Sequence, residues 1–113
     1  MQYALLIYGR PEEDRAARPV AGALAALLDG PGVTAWARLH ADGSATTVRH
    51  DDGRTLLTDG PFIDSKEYLA GVILIEADNL DGALAIAEAM LEQTRPSTAI
   101  EVRPVLAGLV RGA

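Results

Sequence analysis

The sequence predicts an α+β domain, with one antiparallel sheet and two helices on a single face of it. Three observations predict this class. Apolar, strand-like runs alternate with two helical segments, one on each side of the middle. Between them lies a pair of strand-like runs joined by a glycine-containing turn. The order that results is β-α-β, a hairpin, then β-α-β, which suits a two-layer sandwich of the ferredoxin-like type.

Residues 2–8 read as a buried strand, apolar with β-branched and aromatic members and ended by Gly9. Residues 10–18 are charged and read as a loop. Pro19 suits the first position of a helix, where its missing N–H costs nothing. Val20, Leu24, Leu27 and Leu28 then recur at helical spacing, and Asp29-Gly30-Pro31-Gly32 stops the helix. Residues 33–40 alternate: Val33, Ala35, Ala37 and Leu39 on one face, Thr34, Trp36, Arg38 and His40 on the other. That is a half-buried strand.

Residues 41–44 read as a loop. Residues 46–50 and 54–58 flank Asp51-Asp52-Gly53. A three-residue loop ending in glycine predicts a type I turn with a glycine bulge, placing Val48 beside Leu56 and Arg49 beside Thr55. Asp59-Gly60-Pro61-Phe62 follows as a turn with a fixed exit. Gly60 tolerates unusual backbone angles and Pro61 fixes its own φ. Phe62, the single Phe, is expected to anchor that turn in the core.

Residues 68–76 form a second strongly apolar strand. Asp78 or Asn79 can cap a helix whose apolar face is Leu80, Ala83, Leu84, Ala87, Met90 and Leu91. Gly82 weakens it by roughly 1 kcal/mol relative to Ala. Pro96 ends the segment. Residues 98–105 read as the last strand, with Ile100 and Val102 inward and Glu101 and Arg103 outward.

Composition sets further bounds. The 113 residues make one domain, 1–113, and 49% hydrophobic content fits a soluble globular class. With aromatics at 4%, the core must rest on aliphatic side chains. A net charge of −6 and a pI near 4.7 argue against binding to nucleic acid or anionic membranes. Cysteine is absent, which removes disulfides, thiolate nucleophiles and Cys-based metal sites. No apolar run reaches spanning length and no signal-peptide pattern opens the chain, so cytoplasmic residence is the expectation.

Two strands are apolar on both faces: Tyr3, Leu5 and Ile7 against Ala4 and Leu6, and Leu69, Ile73 and Ile75 against Ala70, Val72 and Leu74. Two helices cover only one side of such a sheet. The other side is then a patch larger than a monomer usually exposes, and an isologous contact with a second copy would bury it. A homodimer is therefore expected. The alternative is partial cover by residues 10–18 and the C-terminal tail.

Several segments together resemble the YCII-related family, in the branch named for its Asp-Gly-Pro-Phe motif. They are Leu5-Leu6-Ile7-Tyr8-Gly9, Thr47-Val48-Arg49, Asp52-Gly53, Asp59 to Phe62, Lys66-Glu67, Gly71, Ile75-Glu76-Ala77, Asp81, Ala83-Leu84 and the closing Ile100 to Val105. The resemblance implies a ferredoxin-like fold that dimerises into an α/β barrel. It also implies kinship with lactone isomerases and dehydrochlorinase-like enzymes, and a genomic context that in some members includes extracytoplasmic-function sigma factors. Two features depart from the family pattern. The first helix lacks the His that some members carry there, and Ile63-Asp64-Ser65 replaces the commoner Ala-Glu-Thr.

The candidate chemistry is spread over several elements. Asp59, before Gly-Pro at a strand end, is either a general base or an Asx-type turn residue. His40 is suited to proton transfer if its face lines a cavity, and is otherwise a solvated strand-end group. Lys66 and Glu67 either meet a polar substrate or tie the loop; the family pattern adds weight to Glu67. Arg38 and Arg49 can hold a carboxylate by paired contacts, or stand exposed on their strands. Phe62 completes the substrate-binding candidates. Tyr8 and Tyr68 either face a pocket or pack. His50, beside Asp51 at the hairpin tip, is expected to be exposed.

No metal-ligand spacing, phosphate loop, dinucleotide fingerprint or nucleophile elbow occurs, so no metal or cofactor is expected. Two functions remain. One is a cofactor-independent acid–base enzyme, isomerase- or lyase-like, with Asp59, His40 and Glu67 as its catalytic groups. The other is a non-catalytic dimeric module binding a small molecule or a protein, with a possible link to transcriptional regulation. A pocket on which His40, Asp59 and Glu67 converge favours the first; their dispersal favours the second.

Overall fold

The computed structural model of the protein describes residues 1–10, 20, 22–63 and 65–111. Its elements are β1 (Gln2–Gly9), α1 (Gly22–Leu28), β2 (Val33–Arg38), β3 (Thr46–Asp51), β4 (Arg54–Asp59), β5 (Tyr68–Glu76), α2 (Leu80–Leu91) and β6 (Ala99–Pro104), with one 3₁₀ turn at Asp42–Ser44. A four-stranded antiparallel sheet runs in the order β2-β5-β1-β6, and β3 and β4 form a separate hairpin. With α1 joining β1 to β2 and α2 joining β5 to β6, this is an α+β fold of ferredoxin-like topology. The charged segment 10–18 and Pro19 lie outside the described residues, apart from Arg10.

The register decides which side chains meet. Tyr3 stands opposite Ile75, Leu5 opposite Ile73 and Val102, and Ile7 opposite Ile100. These side chains share one face because strand side chains alternate. They form the core with Leu28 of α1 and Ala83, Ala87 and Met90 of α2. Both helices therefore cover the same face. Leu5 and Ile75 are fully buried. Burying a side chain of that size is worth about 1.5–3 kcal/mol.

α2 opens with Asn79, whose Oδ1 accepts from the Gly82 N–H at 2.9 Å. Its buried stripe is Ala83, Ala87 and Met90 with Ile86 beside it, whereas Leu80, Leu84 and Leu91 are exposed. The expected face was thus rotated toward the leucines. Small side chains on the contact let α2 lie close to the sheet, and the larger ones are left at its margin.

Two irregularities re-aim side chains. The register of β1 against β5 shifts after Ile7, so that Ile7 faces Gly71 but Tyr8 faces Leu69, and Ala70 is the extra residue. A bulge of this kind turns the side chains beyond it to the opposite face. Tyr68 thereby joins Ile73 and Ile75 on the helix side. Leu69, expected there, turns to the other face. A second shift, between Val33 and Ala35, puts Val33 on the same side as Trp36 and Arg38, opposite Ile75. The Thr34 hydroxyl donates to the Leu74 carbonyl at 3.1 Å there. β2 ends at Arg38, so Leu39 and His40 follow the strand instead of belonging to it.

The hairpin also departs from expectation. Val48 pairs with Leu57 and Arg49 with Leu56, around a two-residue turn. Asp52 and Gly53 have φ of 48° and 79°. Two consecutive positive φ values make the turn whose twist matches that of the flanking strands. A three-residue loop with a bulge is therefore not used, and every pair slips by one residue.

Ala4, Leu6, Val72 and Leu74 occupy the second face of the sheet and are only half-buried, and Ala35 and Ala37 beside them are exposed. Leu106 and Leu109 of the C-terminal segment are themselves exposed. Among the described residues no helix is long and apolar enough to cross a membrane.

Candidate ligand-binding site

A cavity of about 420 Å³ opens between the helix side of the sheet and α1. Its floor is Ile7, Gly71 and Ile73, and its roof is Val20, Leu24 and Leu28. Gly71 is needed where it stands. A Cβ there would lie 3.2 Å from the Ala37 carbonyl oxygen and 3.8 Å from Ile7 Cδ1. Glycine therefore lets β2 approach, and leaves space between Ile7 and the opposing Arg38.

Tyr68 and Trp36 supply the aromatic lining. Tyr68 is buried, and it reaches the cavity because of the bulge at Ala70. Trp36 is 48% exposed, so it lies at the mouth. The third side comes from the chain after α2. Gln93 and Thr94 donate their backbone N–H groups to Met90 and Leu91, and the Thr98 N–H donates to the Arg95 carbonyl. These turns bring Thr94, Arg95 and Thr98 to the cavity wall.

The charge of the lining is one-sided. Arg10, Arg38 and Arg95 line the cavity, and none of the described acidic residues does. The whole chain has the opposite balance, with 16 acidic residues to 10 basic ones.

Of the side chains singled out in the sequence, Arg38 lines this cavity, and so do Tyr8 and Tyr68. The Tyr8 hydroxyl, however, lies 3.5 Å from Glu101 Oε1. His40, Asp59, Glu67, Arg49, Lys66 and Phe62 are not among the lining residues. All six are exposed. Asp59 closes β4 opposite Thr46, and Arg49 sits in β3 opposite Leu56. The Glu67 backbone N–H donates to Ser65 Oγ at 3.3 Å. Among the described residues no group of three His, Asp or Glu side chains comes together to hold a metal ion.

The Asp59-Gly60-Pro61-Phe62 turn has a structural task. Gly60 has φ of 100°, a conformation that side chains disfavour. Its N–H donates to the Ala45 carbonyl at 2.7 Å, and its carbonyl accepts from Thr47 Oγ1 at 2.8 Å. The turn thus fastens the base of the hairpin on both sides. Phe62 is 70% exposed instead of buried, because the chain leaves the hairpin there with no layer above it.

Arg10, Trp36 and Arg95 did not stand out as site residues in the sequence. Trp36 and Arg38 lie two apart on one strand, which is the one local signal that both face a cavity. Arg10 and Arg95 sit in connections, where charge ordinarily reads as solvation.

With this geometry in view, comparison with known proteins is informative. The family model for the YCII-related domain matches residues 1–107. The chain belongs to the YCII-related family. It is also 35% identical to an uncharacterized protein of Rhizobium meliloti (strain 1021), over 93% of this chain and 92% of that one. Membership assigns no reaction, so the cavity's own chemistry must carry the functional argument.

Proposed function

We propose that this YCII-related protein is a binding domain for a small organic molecule held between the sheet and α1. One observation carries the reading. The cavity combines an apolar floor and roof with aromatic and cationic side chains, and His40, Asp59 and Glu67 lie outside its lining. Ligand sites are typically apolar clefts with a few placed polar groups, in the range of about 300–1,000 Å³. Acid–base catalysis by His40, Asp59 and Glu67 draws no support from their placement.

A screen of small organic molecules by ligand-observed NMR tests this. Molecules that bind the native protein should lose binding in Leu24→Trp, which fills the cavity, and keep it in Asp59→Asn and His40→Ala. The reverse pattern would move the site to the acid–base trio.

The protein works, on this reading, as a homodimer joined through the second face of the sheet, which closes a dimeric α/β barrel. Its support is the half-buried Ala4, Leu6, Val72 and Leu74 on the face of the sheet that the helices do not cover. Sedimentation should show a dimer that Leu74→Asp converts to a folded monomer; a native monomer at high micromolar concentration would contradict it.

A further inference from the structure

We infer that the molecule this cavity takes is a compact aromatic one, selected through its flat ring. The inference rests on the cavity being a ligand site and adds the class of ligand. Its first ground is where the aromatic residues sit. The chain has one Trp, three Tyr and one Phe. Tyr8, Trp36 and Tyr68 all line this one cavity. Tyr3 is the single aromatic member of the core cluster, and Phe62 is exposed. Tyr68 is buried yet stands outside that cluster, so its ring serves the cavity wall. Packing of the core therefore does not account for the concentration.

The second ground is arrangement. Trp36 stands on β2 opposite Ile73, and Tyr68 opens β5. On the helix side of β5, the position between Ile73 and Tyr68 is Gly71. No side chain of β5 therefore separates the two aromatic positions. Ile7 lies below that opening, and Leu24 and Leu28 lie above it. An opening with aliphatic surfaces above and below and aromatic groups at its sides suits a flat ring. Rings so placed gain from offset-stacked or edge-on contacts.

The third ground is the state of Trp36. The chain's one tryptophan is exposed, at the mouth of the cavity. A large apolar side chain left in water gains from being covered. A ring entering the cavity covers it. A volume of about 420 Å³ lies at the small end of ligand cavities, so the ligand is compact. The arginines of the lining are compatible with such a ring. A guanidinium donates its hydrogen bonds within its own plane and stacks through its face. Stacking is therefore open to it even when its edge is already bonded.

Calorimetric titration of the full-length protein with two probes tests the inference: 2-naphthol and decahydro-2-naphthol. The two share a carbon skeleton and a hydroxyl group, and differ in flatness and aromatic character. The saturated probe buries no less apolar surface, so the hydrophobic effect alone would not favour naphthol. Naphthol should nevertheless bind about two- to tenfold more tightly, the range that aromatic contacts contribute. Trp36→Leu should remove most of that preference by weakening naphthol alone. Trp36→Phe, which keeps an aromatic ring at the mouth, should retain it.

Equal or tighter binding of the saturated probe overturns the aromatic assignment and leaves the ligand site standing. So does an undiminished preference in Trp36→Leu, because the aromatic wall would not be what selects the ring. If neither probe binds, while aliphatic molecules from the screen still depend on Leu24, the aromatic argument is wrong. Naphthol binding that survives Leu24→Trp would lie outside the cavity and overturn the inference. If nothing binds at all, the reading of the cavity as a ligand site falls with it.

Discussion

The four-stranded sheet and the β3–β4 hairpin use similar residues and end in opposite states. In the sheet, Leu5, Ile73 and Ile75 are at most 3% exposed. In the hairpin, Val48 and Leu57 face each other and are 63% and 66% exposed. Strand propensity does not separate them. What separates them is a second layer: two helices cover one face of the sheet, and neither covers the ribbon. A two-stranded ribbon is marginal by itself in water. This one is held by its two-residue turn at the tip and by the Gly60 contacts at its base. The difference also locates the candidate site. A ligand cavity needs a floor and a roof, and only the sheet has both.

Truncation should expose that contrast. Leu5→Ala removes a fully buried side chain and should cost about 2–5 kcal/mol, read from denaturant unfolding. Leu57→Ala should change stability by no more than about 0.5 kcal/mol, as exposed positions do. A large loss at Leu57 would mean that the ribbon is covered in solution, for instance by a second copy.

A smaller effect sharpens the account of the Asp-Gly-Pro-Phe turn. Gly60→Ala keeps every side chain of the cavity but forces a Cβ onto a residue with φ of 100°. It should cost about 1–2 kcal/mol. Hydrogen exchange should quicken at the Gly60 amide, with little change at Leu5. Unaltered protection at Gly60 would show that the turn does not secure the ribbon.

A further modest stability change is expected at the helix cap. Asn79→Ala should lower stability by about 1 kcal/mol or less, through loss of the bond to the Gly82 N–H.

Much of the fold was legible in the sequence, and the reasons are local. The apolar run at residues 68–76 coincides with β5, and Asn79 caps α2 as one of the two residues named for that role. Glycine and proline marked the end of α1 and the turn after β4. What stayed hidden depends on partners far along the chain. The bulge at Ala70 sends Tyr68 to the helix side and Leu69 away from it, and alternation of side chains alone cannot show where an extra residue falls. The same holds for Val33. The hairpin register was displaced by a single residue, which is enough to change every pair.

The candidate site was less legible than the fold. Asp59, His40 and Glu67 attract attention because their side chains suit proton transfer. The backbone, however, gathers arginines, aromatics and aliphatic groups from five separate segments at the cavity. Arg38 was the one residue for which a strand pattern and a plausible ligand contact coincided. Arg95 reaches the same place by turns whose direction no short-range pattern encodes, and Arg10 reaches it directly from the end of β1.

The most direct test of where function lies is amide-shift mapping of the isotopically labelled protein titrated with a small organic molecule found in the ligand screen. The account predicts shifts at Gly9, Gly71 and Thr94 and at the Trp36 indole N–H, with the amides of Thr47, Asp59 and Gly60 unmoved. Shifts confined to the hairpin base and the residues around His40 and Glu67 would contradict it, and would return the acid–base trio to the centre of the molecule's chemistry.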